Sequence, residues 1–187
     1  MAHKTQLTIL SLQKELRKEI EAITKDMLLK QPNSKDLIRL RAFSQNLPIP
    51  HKLTPEMLPS GDTDIPEEES EYGIEYPFPW AMVKLEEGNI PEPGADQKVN
   101  VIIVLGIFDD SQENKGHETI VLVIERIMER FLKNPLLSGQ FTLVPIDNNH
   151  LVQWSLQDED TYPYYYGAIA MAFQTPGFQR EDYYGFA

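Results

Sequence analysis

The sequence predicts an α+β fold, a largely antiparallel or mixed β-sheet with two main helices packed on it, interrupted by a long Pro/acid-rich loop. Three observations predict it. VNVIIVLGIF at 99–108 is continuously apolar and β-branched, as a strand covered on both faces would be. Apolar stripes of helical period run through 5–30 and 116–133. Shorter strand-like runs follow the second stripe, ending in YYGAIAMAF.

From Thr5 to about Lys30, Ile9, Leu12, Leu16, Ile20, Ile23 and Met27 recur at steps of three and four, placing them on one helical stripe. Gln31-Pro32-Asn33 is expected to stop this helix, and a second helical turn is expected around 35–43. The stripe suits core packing, with docking to a partner as the alternative. Residues 47–79 are broken by seven prolines and carry the acidic run EEESE, so no long regular element survives there. This segment reads as a solvated connection or as an acidic arm contacting a neighbouring subunit.

A strand is expected at 80–85, a Gly/Pro turn region after it, and then the strand at 99–108. Between 116 and 133, Ile120, Val123, Ile124, Ile127, Met128, Phe131 and Leu132 form a broad helical face, with Glu118 in the first turn and Lys133 in the last, as the helix dipole favours. Asn134-Pro135 ends the helix, and Ser138-Gly139 turns the chain into FTLV. LVQWSLQ places Val152, Trp154 and Leu156 on one face of a half-buried strand. In the last strand Ala168, Ala170 and Ala172 line one face, opposite Ile169, Met171 and Phe173. The organisation is one domain: a helical segment at 1–46, the loop or linker at 47–79, an α+β core at 80–176 and a tail at 177–187, which is either frayed or a peptide-like arm.

The chain has 187 residues, enough for one real core, with 14 prolines and a formal net charge of −12. That charge disfavours a general nucleic-acid binder, which needs clustered Lys and Arg against phosphates. The charge is uneven. Residues 1–46 carry nine Lys/Arg against five Asp/Glu, whereas 47–100 carry three against twelve and 101–187 five against twelve. The N-terminal segment is thus a basic element facing an acidic body. No apolar run reaches the roughly eighteen residues of a membrane span, and MAHKTQLTIL lacks the apolar core of a signal peptide, so the expectation is synthesis and residence in the cytoplasm. The absence of cysteine excludes disulfides, thiolate catalysis and Cys-ligated zinc.

Reactive chemistry is sparse. Asp109, Asp110, Glu113, His117 and Glu118 lie close in sequence and offer oxygen ligands and one imidazole to a divalent cation. Their spacing fits neither an EF-hand loop nor a zinc pattern, and loop or cap roles suit them better. No glycine-flanked serine forms a hydrolase elbow, and no cofactor is implied. TYPYYYG is more specific. Tyr162, Tyr164, Tyr165 and Tyr166 combine an apolar face with a polar tip, as ordinary sheet residues or as part of a subunit interface do.

YPFPWAMVKLEEG at 76–88, VIIVLGIFDDSQENKGHETIVLVIERIMERFLKNP at 101–135 and QWSLQDEDTYPYYYGAIAMAFQTP at 153–176 together resemble the tail terminator, or tail completion, family of long-tailed phages and prophages. The resemblance covers about residues 76–176. It rests on a proline-led strand, a long strand entering an acidic D-D turn with a downstream Gly, a Trp-bearing strand and a Pro-Tyr-aromatic-Gly strand opening. It implies a small non-catalytic α+β subunit that forms a ring with itself, commonly of six, on the end of a finished tail tube. The implied partners are the tail-tube protein and the head connector or neck. The implied location is the virion tail, after assembly in the bacterial cytoplasm. The stretch 47–79 and the long N-terminal helix depart from small terminators. Asp109, Asp110, Glu113, Tyr162, Tyr164, Tyr165 and Tyr166 are the expected contact residues. The alternatives are a head-completion or neck protein of the same phage class and, from a different class, a small cation-dependent enzyme using the 109–118 loop.

Overall fold

A computed structural model describes residues 8–48 and 77–177. Within them the order is α1 (Thr8–Ile23), β1 (Leu28–Lys30), β2 (Leu37–Arg39), β3 (Arg41–Ser44), β4 (Trp80–Asn89), β5 (Gln97–Phe108), α2 (Gly116–Lys133), β6 (Leu136–Leu137), β7 (Phe141–Val144), β8 (Val152–Leu156) and β9 (Tyr164–Thr175). The fold is α+β, with two helices on a mixed sheet. β3, β4, β5, β9, β7 and β6 neighbour one another in that order, and β8 also pairs with β9. β3 runs parallel to β4, and every other pairing is antiparallel. The residues of the Pro/acid-rich loop and those beyond Gly177, with the readings made of them, lie outside the described residues.

The sheet is built on β5 and β9, which pair along their full lengths from Gln97 opposite Thr175 to Phe108 opposite Tyr164. Side chains alternate across the pleat, so one register fixes both faces. Val99, Val101, Ile103, Leu105 and Ile107 of β5 and Ile169, Met171 and Phe173 of β9 point to one side and are buried there. Leu12, Leu16 and Ile20 of α1 and Ile120, Val123, Ile124, Ile127 and Phe131 of α2 join the same core. Both helices therefore lie on one face. Arg130 of α2 pairs with Glu19 of α1, and Arg126 donates to the Ile23 carbonyl at the end of α1 and grips Asp26 in the turn after it.

Two expectations near the N-terminus are corrected. The helix ends at Ile23 rather than near Lys30, because the Thr24 hydroxyl donates to the Ile20 carbonyl and the Met27 amide turns back to the Thr24 carbonyl. The expected second helical turn is instead β2 and β3. Gln31-Pro32-Asn33 makes a hairpin turn between β1 and β2, with Asn33 at φ 58°, a conformation that asparagine tolerates.

The double cover expected for the 99–108 strand is also corrected. Ile102 and Val104 on the second side are only half-buried, and both helices pack into the core on the other side. Trp154 lies opposite Ile169 on the helix side, yet it is 52% exposed because β8 is the margin of the sheet there. Leu132, expected on the core face of α2, is exposed as well.

Candidate functional site

The acidic loop after β5 and the Tyr-rich entry to β9 meet at one end of the sheet. The antiparallel register brings Phe108 opposite Tyr164, so residues 109–114 and 160–164 emerge side by side. The Asp109 amide donates to the Pro163 carbonyl at 2.9 Å, and the Tyr162 hydroxyl donates to the Asp110 carbonyl at 3.0 Å. The Tyr165 hydroxyl donates to the Asn114 side chain. Its ring lies over Gly116, where a Cβ would come within 2.2 Å of a ring carbon, so glycine at the start of α2 is a packing requirement.

Lys30 of the β1–β2 hairpin reaches into this loop, its Nζ standing 2.9 Å from Asp109 Oδ1 and 2.7 Å from Asp110 Oδ1. Asp109 also accepts the Ser111 amide at 3.0 Å and the Ser111 hydroxyl at 2.9 Å, a local turn of the kind aspartate favours. Burial pushes the Asp109 carboxyl up, but Lys30 and the Ser111 donors outweigh it, and the group lies below its ordinary value. The Lys30 hydrogen bond likewise lowers Asp110, and the two carboxylates raise the ammonium. Glu113 pairs with Lys115 at 3.0 Å. Both aspartates thus face a resident cation. Among the described residues, no group of three or more His, Asp or Glu stands where it could hold a metal ion.

The four tyrosines separate by strand alternation. Tyr162 lies in the loop and is 48% exposed. Tyr165 turns into the core beneath α2 and is 5% exposed, so its side chain is withdrawn from the expected contact set. Tyr164 and Tyr166 point to the second face. There they join Phe78, Trp80 and Phe108, with Phe78–Tyr164 centroids 5.0 Å apart, Phe108–Tyr164 5.5 Å and Trp80–Tyr166 6.2 Å. The proline-led YPFPW motif supplies two of these rings, and sequence reading treated it only as a strand opening. Burial pushes the Tyr165 hydroxyl above its ordinary value, and Asp109 adds to the effect.

Beyond this cluster the second face continues as Met82 of β4, Val104 and Ile102 of β5, and Ala168 and Ala170 of β9, in register across three strands. No described helix or strand covers it. Toward β8 it forms a groove of about 500 Å³ whose lining includes Ile102, Ala168 and Ala170 of the sheet, Gln153 and Ser155 of β8, and His150, whose Nδ1 stands 2.9 Å from Asp147 Oδ1. The groove presents apolar surface, amide and hydroxyl groups and one imidazole. Among the described residues no helix is long and apolar enough to cross a membrane. The sequence matches no protein-family model, and no curated protein matches it.

Proposed function

We propose that this chain is a structural subunit of a long-tailed phage or prophage: a tail terminator that assembles as a ring, of about six copies, on the end of the tail tube and meets the head connector there. It works by association, without catalysis or cofactor, and its final place is the virion tail. The observation that supports this reading is the second face of the sheet, where Met82, Ile102, Val104, Ala168 and Ala170 form apolar surface with both helices on the other side. Contiguous apolar surface of this kind marks association sites. The small side chains of Ala168 and Ala170 let another backbone approach closely. At one end of the face stand Tyr164 and Phe108, aromatic residues of the kind that concentrate binding energy. Beside them lies the 109–114 loop, with Asp110 and Glu113 exposed at the rim. Ring subunits bind head to tail, so such a face meets a different surface of the next copy.

The test is sedimentation of the full chain with electron microscopy of purified tail tubes. Wild type is expected to form closed rings or to cap tube ends, and an Ala168→Glu/Ala170→Glu variant is expected to stay folded and do neither. Binding to head connectors but not to tubes would select the neck-protein alternative. A wild type that neither self-associates nor touches tubes or connectors would end the virion reading.

A further inference from the structure

Among the described residues β8 is an edge strand with an open outer side, pairing with β9 alone. The Gln157 amide donates to the Tyr166 carbonyl at 3.2 Å, continuing the register that sets Val152 opposite Met171 and Leu156 opposite Gly167. Bonded and non-bonded positions alternate along an antiparallel ladder. Gln153, Ser155 and Gln157 therefore commit their backbone groups to β9, while Val152, Trp154 and Leu156 direct theirs outward. Natural edges are blunted by charge, proline, a bulge or a cover. VQWSL carries no charge and no proline, and exposed Trp154 stands at its centre with exposed Leu151 just before it.

The far margin of the sheet is built differently. Glu21 Oε1 accepts the Ala42 amide at 2.9 Å, and Arg17 Nε donates to the Ala42 carbonyl at 2.9 Å. Two side chains one turn apart on α1 thus stand in for a strand beside β3. A sheet running from β8 of one copy into β3 of the next is blocked. At β6, the other end of the strand order, the Leu136 amide donates to the Asn134 side chain and the Leu136 carbonyl accepts from Arg130, so among the described edges of this sheet the one left for β8 to meet is another β8.

We infer that two copies of this chain pair β8 to β8, antiparallel across a twofold axis, with Trp154 opposite Trp154. The register follows from parity and charge. Outward backbone groups must meet outward groups, so Val152 pairs with Leu156, and Gln153 faces Ser155. This centring pairs all of β8. Antiparallel pairing about Trp154 also puts the acidic run 158–160 of one copy at the opposite end of the ladder from that of the other. The two acidic runs therefore do not face each other, as like charges directly opposite would oppose pairing. The two indoles, half-exposed in one copy, bury each other at the axis. The pairing is independent of the virion reading. A twofold contact joins like surfaces, so it belongs to the free protein or to two rings set back to back, and it leaves the second face of the sheet available.

The experiment is sedimentation of the full chain over a wide concentration range, with hydrogen exchange read at single amides. The mass is expected to double. The outward amides of Trp154 and Leu156 are expected to exchange freely in dilute protein and to be protected in concentrated protein, while that of Ser155 is protected in both. The chain has no cysteine, so Trp154→Cys gives one thiol per copy. Residues in a bonded antiparallel pair sit about 5.5 Å apart at Cα, inside the roughly 4.4–6.8 Å range that a disulfide spans. That variant is expected to cross-link, whereas Gln153→Cys, which faces Ser155, is not. Trp154→Lys is expected to lose the dimer, and Tyr164→Asp/Tyr166→Asp to keep it while disabling the proposed ring, so the two proposals fail separately. A wild type that stays monomeric at the highest concentration overturns the pairing. So does a dimer whose Trp154 and Leu156 amides exchange as fast as in the monomer.

Discussion

The Phe131 ring of α2 meets the Phe173 ring of β9 edge-on, with centroids 5.3 Å apart and both side chains fully buried. This contact joins the last turn of the helix to the strand beneath it, and offset or edge geometry is what the aromatic quadrupole favours. Phe131→Ala is expected to destabilise the protein by about 3–5 kcal/mol, since it removes apolar contact and leaves a cavity that rigid neighbours fill poorly. Denaturant unfolding measures it. A loss below about 1 kcal/mol would mean that the helix yields at that point and the core there is loosely packed.

Trp80 lies flat against Gly106 on the second face, and a Cβ at that glycine would come within 2.3 Å of the indole. Gly106→Ala is therefore expected to displace the ring from a site where it is 5% exposed. Overpacking of this kind costs about 1–3 kcal/mol. The displaced ring would disturb Phe78 and Tyr166 beside it, and the check is a thermal melt together with tryptophan emission, which should shift to the red. Unchanged emission and stability would show that the aromatic cluster repacks freely.

Lys30 and the Asp109–Asp110 pair make a pH prediction with two limbs. The carboxyls lie below their ordinary 3.8, so their contribution is present above about pH 4 and is lost as pH falls through the lowered values. The ammonium lies above its ordinary 10.5, so its contribution is present below that and is lost as pH rises through the raised value. Lys30→Met is expected to be less stable than wild type by a constant amount across the neutral range, with the difference shrinking as pH falls below the carboxyls' ordinary 3.8 and through their lowered values. A difference that grows in acid would refute the pairing. The same pair predicts that purified protein holds no stoichiometric divalent cation. Cation retained through gel filtration, and lost on Asp110→Ala, would restore the enzyme alternative.

What the sequence revealed followed periodicity. The α2 stripe and the β5 and β9 runs are long enough for apolar spacing to identify each element and its buried face, and Ile127 and Phe131 are buried as that spacing requires. Residues 24–44 misled because Ile23 and Met27 continue the α1 stripe by spacing alone, while the chain has already left the helix at Thr24. Short strands such as β1 and β2 have too few residues to display a period. The site was half legible. The D-D turn and the tyrosines could be named, but Lys30 lies 79 residues from Asp109 and no local pattern links them. Nor does alternation tell which face has cover. That depends on α1 and α2 lying on the same side, a matter of tertiary contacts such as Arg130 with Glu19.

The closure of β3 by α1 makes the last prediction. Ala42 is 2% exposed, and its amide and carbonyl are satisfied by Glu21 and Arg17. Arg17→Ala/Glu21→Ala leaves both groups unpaired, at a cost of about 1–3 kcal/mol for each that water does not reach. The larger effect concerns assembly. With β3 uncapped and β8 open, the sheet has two free edges, and a head-to-tail contact through them does not close. The double variant is therefore expected to give a broad series of concentration-dependent oligomers where wild type gives a defined species, with Trp154→Lys on the same background suppressing the series. Sedimentation distinguishes these outcomes. A folded double variant that associates no further than wild type would show that something other than Arg17 and Glu21 guards the β3 edge.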